Sequence, residues 1–255
     1  MHDISIEILL LLIGLGFLAA FIDSVVGGGG LISIPALLLT GLPLPVVLGT
    51  NKLAASMSSL TSTISFIRSG KINFHLVKYL IPFSLLGAVL GSMTVRYVPT
   101  SFLKPLVIVL LIGVTLYTLF KKDWGSISTY KGITKKTRIF SVLTALVLGF
   151  YDGFFGAGTG SFLIFAFLFL GFDFVTAAGN AKALNFTSNV ASLFTFIFFG
   201  SVSYIHGFIM GIAMIAGALV GSRIAIRKGT GYVRPLFIGV TMVLIGKQLW
   251  DIYQS

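Results

Sequence analysis

The chain has 255 residues, 56% hydrophobic and only 10% charged, with a formal net charge of +11 and a mean hydropathy of +1.03. Soluble domains carry about 25% charged residues, so this composition excludes a water-soluble fold and makes the bilayer the natural solvent. The apolar runs are continuous rather than alternating, which excludes a membrane β-barrel, and the absence of cysteine excludes disulfides, thiolate metal sites and a cysteine nucleophile.

A membrane helix needs about 20 apolar residues. The opening "MHDISIE" lacks a basic n-region, so no cleaved signal peptide is expected. The first apolar segment covers 4–24 and runs into Asp23 and the four glycines Gly27–Gly30. A short segment, 30–42, follows this break. Longer ones cover 50–67, 74–95 and 102–120. After a polar stretch come 139–155 and a second short segment, 160–172, which follows the break "GFFGAGTG" (153–160). Segments 181–200, 205–226 and 233–250 complete the chain.

Basic residues mark one face. Arg68, Lys71 and Lys78 follow the third segment. Lys121, Lys122, Lys131, Lys135, Lys136 and Arg138 fill the polar stretch, and Arg227, Lys228 and Arg234 follow the ninth segment. If every segment crosses, all three groups share a side, which the positive-inside rule makes cytoplasmic. Both termini then lie outside. The sidedness is unchanged if the short segments only half-penetrate. Such clustering explains the excess positive charge without nucleic acid.

The chain also repeats itself. At a shift of 130 residues Gly30 meets Gly160, Gly49 meets Gly179, Lys52 meets Lys182, Ser58 meets Ser188 and Pro105 meets Pro235, while "GAVLGS" (87–92) meets "GALVGS" (217–222). Asp23 meets Asp152 if one residue is inserted before the glycines. Matched Lys, Asp and Pro in one register indicate an internal repeat. Five segments per copy, an odd number, place the second copy upside down. The expected fold class is therefore an all-α polytopic membrane protein of two inverted-topology repeats with Gly-rich helix breaks and eight to ten membrane segments. Residues 1–121 form the first repeat, 122–138 a basic cytoplasmic linker, and 139–255 the second repeat. Inverted repeats place a site near the midplane, built from interrupted helices.

Ionisable residues inside membrane segments are costly and mark function. Of seven acidic residues, Asp3, Glu7, Asp123 and Asp251 lie at ends or in the linker, and Asp173 in a predicted turn. Asp23 and Asp152 remain, each at a glycine break. Lys52 and Lys182 fall near the starts of long apolar segments. A glycine break frees backbone groups that lipid cannot satisfy, so it must line a cavity. The helix that resumes after it presents N–H donors suited to an anion, and lysines add full charges. This predicts a small anionic substrate bound by Lys52, Lys182, Asn51, Asn180, Asn185 and Ser56 with the breaks at Gly29, Gly30, Gly158 and Gly160. Asn189 and Ser188 add polar contacts on the same helices. Asp23 and Asp152 either carry a coupling proton or pair with the lysines, Asp23 with Lys52 and Asp152 with Lys182, locking each repeat. Alternatively, the lysines snorkel to an interface, and the glycines serve only close helix packing. The latter suits Gly87, Gly91, Gly217 and Gly221 better than four glycines in a row.

The stretch "DSVVGGGGLISIPALLL", with "GTNKLAAS" and its weaker second copy, resembles the TauE/SafE family of sulfite exporter-like and organosulfonate-permease-like membrane transporters. The resemblance covers nearly the whole chain. It implies a multi-pass carrier of a bacterial-type inner membrane, with sulfite, an organosulfonate or another small oxyanion as substrate, and it leaves substrate and direction open. The second copy departs from the first: "GAGTGSF" replaces "GGGGLI" and Phe165 stands where Pro35 stands. The combined expectation is a secondary transporter working by alternating access on an ion gradient, with no cofactor, no metal and no enzymatic activity. An anion channel on the same scaffold is the first rival. An intramembrane aspartyl protease is the second, but its Gly-x-Gly-Asp partner motif is absent. "GAGTG" lacks the Gly-Lys-Ser/Thr of a phosphate loop. Homodimerisation is undetermined by sequence.

Overall fold

A computed structural model describes residues 6–95, 97 and 125–253. Among the described residues there are helices and no strands. In chain order these are α1 (Ile6–Val26), α2 (Gly30–Leu38), α3 (Leu44–Arg68), α4 (Phe74–Thr94), α5 (Lys135–Phe154), α6 (Thr159–Phe169), α7 (Phe174–Phe198), α8 (Tyr204–Lys228) and α9 (Thr230–Tyr253). The expected segment 102–120 lies outside the described residues. α1, α4, α8 and most of α5 are long and apolar enough to cross a membrane. α2 and α6, with 9 and 11 residues, rise only about 14 and 17 Å at 1.5 Å per residue. That is about half the hydrocarbon core.

Helices α3 and α7, of 25 residues each, begin earlier than the apolar pattern suggests, at Leu44 and Phe174 rather than at 50 and 181. Pro43 caps α3, with a second proline in its first turn. Asp173, expected in a turn, caps α7 by accepting from the Val175 and Thr176 N–H groups at 3.0 Å. The Asp173 cap satisfies donors that a helix start leaves open, and the proline in the first turn of α3 has no N–H to satisfy. Lys52 and Lys182 are consequently two turns inside their helices, not at the ends. They are 2% and 0% exposed, which rules out snorkelling.

Small residues set the packing. A Cβ at Gly217 or Gly221 of α8 would strike the Phe17 or Phe21 carbonyl of α1, and a Cβ at Gly87 or Gly91 of α4 would strike the Leu146 or Phe150 carbonyl of α5. Backbones this close are the usual route to helix association in lipid. The same correspondence recurs elsewhere. Gly49 lies against Ser201 and Phe196, and Gly179 against Lys71 and Phe66. The Thr50 hydroxyl accepts from the Ser203 N–H at 2.9 Å, while the Asn180 side chain accepts from the Asn73 N–H at 2.7 Å. Part of the expected linker is docked rather than loose: Tyr130 stacks on Phe172 at 4.1 Å and the Phe174 N–H donates to the Gly125 carbonyl.

Candidate functional site

The two helix breaks face each other at the centre. Gly27 and Gly28 have φ of +79° and +87°, and Gly156 and Gly158 have +82° and +84°. This left-handed backbone favours glycine. A Cβ at Gly27 would collide with Ser161, and one at Gly30 would crowd Ala157. Several backbone groups at the breaks find partners inside the protein, as lipid requires. The Ser161 hydroxyl donates to the Val26 carbonyl at 3.0 Å, the Tyr151 hydroxyl to the Ala157 carbonyl at 2.5 Å, and the Gly29 N–H to Asp23 Oδ1 at 3.1 Å.

Between the breaks, α3 and α7 bring two ion pairs. Lys52 Nζ lies 3.0 Å from Asp152 Oδ1, and Lys182 Nζ lies 2.5 Å from Asp23 Oδ2. The pairing is crossed. Sequence proximity suggested Asp23 with Lys52 and Asp152 with Lys182; instead each lysine reaches the carboxylate of the other half. The reason is geometric, because each break packs against the opposite break and carries its aspartate there. The two pairs are unequal. Asp152 also accepts from the Ser188 hydroxyl at 2.5 Å and from Asn185 Nδ2 at 3.5 Å, and its side chain is 2% exposed. Asp23 has Lys182 and the Gly29 N–H, and its side chain is 16% exposed. Lys52 also donates to Asn189 Oδ1 at 3.1 Å.

A cavity of about 20 Å³ lies among Asp23, Gly28–Gly30, Ser33, Asn51, Lys52, Asp152, Gly158, Gly160, Asn185 and Asn189. A cavity of 10–15 Å³ admits one water, so an oxyanion with four or more heavy atoms needs the surrounding helices to separate. Most expected site residues therefore meet here, and Lys182 joins through Asp23. Two do not. Asn180 is fully buried and holds the start of α4 through Asn73. The Ser56 hydroxyl is spent on the Lys52 carbonyl in its own helix, at 2.7 Å. Sequence reasoning missed Ser33, which donates to Asn51 Oδ1 at 2.6 Å, and also Gly156 and Met214. Ser33 lies one turn into α2, on the face turned towards α3, and that helical spacing was the available signal. Met214 gave none. Among the described residues no group of three metal-binding side chains forms.

A helical bundle with apolar spans, two central helix breaks and a narrow, charge-paired polar centre defines a polytopic membrane transport protein. The chain belongs to the family described as "Sulfite exporter TauE/SafE", whose pattern it matches over residues 12–247. It is 37% identical over 250 residues to a "Probable membrane transporter protein" of Haemophilus influenzae, covering 98% of this chain and 97% of that one. It is 40% identical over 255 residues to the "Probable membrane transporter protein ORF9" of a Sinorhizobium species, covering 98% and 96%. It is 38% identical over 239 residues to the "Probable membrane transporter protein YfcA" of Escherichia coli K12, covering 92% and 87%. No solved structure matches.

Proposed function

We propose that the protein is a secondary transporter of a small oxyanion, with sulfite or an organosulfonate as the substrate class, working by gradient-coupled alternating access. One observation carries this reading. The Asp23 carboxylate lies on Lys182 and on the Gly29 N–H beside the start of α2. That is an anion-binding arrangement, a lysine plus a backbone donor at a helix start, occupied by the protein's own anion. Two carboxylates and two ammoniums leave the centre formally neutral. A substrate anion brings a net charge that is costly in this setting. Protonation of Asp23 restores the balance: the carboxyl leaves Lys182, and the substrate takes its place. Asp23 suits this role better than Asp152, which has more donors and less exposure.

The matched contacts of α1–α4 and α5–α8 support two inverted repeats that rock about the touching breaks. The narrow cavity, with room for about one water, favours a carrier over a channel. Pairing of each aspartate with a lysine, rather than with the other aspartate, argues against an aspartyl protease. The basic residues around Arg68, Lys131, Lys135, Arg138 and Arg227 support a cytoplasmic position for the linker in a cell (inner) membrane.

The test is sulfite and sulfonate uptake into proteoliposomes. Lys182→Gln and Lys52→Gln should lower uptake at least about tenfold. Asp23→Asn should retain anion exchange but lose its response to a pH gradient. Wild-type rates in both lysine variants would remove the assignment.

A further inference from the structure

A second basic feature lies away from the central cavity. A groove of about 500 Å³ runs between α3 and α8 on the outer surface, and Arg68, Arg223 and Arg227 line it together with Ile64, Ile215 and Leu219. The three arginines are exposed, and among the described residues none has a salt bridge. No acidic residue lines the groove. Sidedness rules alone would put arginines on this face, but not aim three of them at one groove. Arg223 sits five residues before the end of α8, about 7.5 Å inside it. From Ile215 to Arg227 the groove runs about 18 Å along α8, close to the roughly 15 Å depth of one leaflet's hydrocarbon.

At the 130-residue shift the counterpart groove, between α4 and α7, is about 620 Å³ and apolar. There Met93 stands for Arg223 and Phe198 for Arg68. The two grooves are alike in position, and only one carries charge. An apolar floor that runs about 12 Å along α8 from Ile215 to Arg223, and meets three guanidinium groups without a salt bridge among the described residues, fits a lipid tail below an anionic headgroup. A soluble oxyanion would use the rim and leave the floor unfilled.

We propose that the α3–α8 groove is a binding site for one anionic phospholipid, its phosphate held by Arg68, Arg223 and Arg227 and an acyl chain lying over Ile64, Ile215 and Leu219. The site has a mechanical consequence. Ile215 floors the groove while the adjacent Met214 lines the central cavity, so the lipid clasps α3, which carries Lys52, to α8.

The test is native mass spectrometry of the purified full chain titrated with phosphatidylglycerol or with phosphatidylcholine of the same chains. Phosphatidylglycerol should be retained about a hundredfold more tightly, at roughly fivefold per arginine. The Arg68→Gln/Arg223→Gln/Arg227→Gln variant should lose that preference. Lys78→Gln/Lys131→Gln/Lys135→Gln, which removes the same charge elsewhere, should keep it. Leu219→Trp fills the floor with the arginines intact and should weaken retention of the first lipid. If the triple arginine variant does not fold, Arg223→Gln alone should lower the preference about fivefold. Equal retention of both lipids by the native chain overturns the proposal. So does retention unchanged in the arginine variants, or displacement of the lipid by millimolar inorganic phosphate with no effect of Leu219→Trp, which would identify a soluble anion as the occupant.

Discussion

The crossed pairing makes a sharp prediction about Lys52. At 3.0 Å from Asp152, a unit pair at an effective dielectric constant of about 20 attracts by about 5.5 kcal/mol. Desolvation of the two ions offsets several kcal/mol of that. Removing one partner strands the other charge, and both side chains are 2% exposed, so each single change should destabilise by about 3–5 kcal/mol. Removing both should cost far less. Lys52→Met and Asp152→Leu should therefore show a coupling energy of more than about 3 kcal/mol in a double-mutant cycle. Among the described residues Lys52 makes no ion-pair contact with Asp23. The cycle of Lys52→Met with Asp23→Leu, two groups that share the cavity without touching, should give a smaller favourable coupling. The assay is reversible unfolding in mixed micelles, with the four proteins of each cycle measured side by side. A Lys52–Asp23 coupling larger than the Lys52–Asp152 coupling would refute the crossed arrangement and return the pairing to within each half.

Two further outcomes follow from the same centre. Gly156→Ala places a methyl 2.8 Å from Lys52 Nζ at a φ of +82°. It should lower stability by at least about 1–3 kcal/mol and reduce transport with it, which thermal unfolding and uptake will read together; native stability and uptake would contradict the packing. Asn180→Ala removes the acceptor of the Asn73 N–H and should cost about 1–3 kcal/mol of stability. The surviving protein should keep the wild-type KM, because Asn180 does not line the cavity; a raised KM in uptake assays would put it back in the substrate site.

Much of this fold is legible in the sequence because lipid leaves so few options. Apolar length locates α1, α4 and α8 within a few residues, and the two glycine runs locate both breaks. The starts of α3 and α7 are harder. They are set by Pro43 and Asp173, and the first two turns that follow hold Pro45 and Gly49 in α3 and Thr176 and Gly179 in α7, which read as loop residues, so a search for apolar runs begins too late. Lys52 and Lys182 then look terminal, although they sit two turns deeper. The partner of each lysine is a different kind of problem. Nearness in sequence favours Asp23 for Lys52, whereas the choice is made by how two breaks fit together across the bundle. Thr50 and Asn180 illustrate the same limit. They stand at equivalent positions, and both hold a distant backbone N–H, a role that one sequence does not distinguish from substrate contact.

The crossed pairs also bear on synthesis. Lys52 and Asp23 find their partners 100 and 159 residues further along the chain. A ribosome delivers the first half to the bilayer before Asp152 or Lys182 exists. During that interval Asp23 is the acidic residue nearest to Lys52 in the chain. The within-half contact absent from the finished protein is thus the one open to the newborn chain. Completing the molecule means trading that contact for the two that span it, so insertion of the second half is also the step that splits the first half's pair.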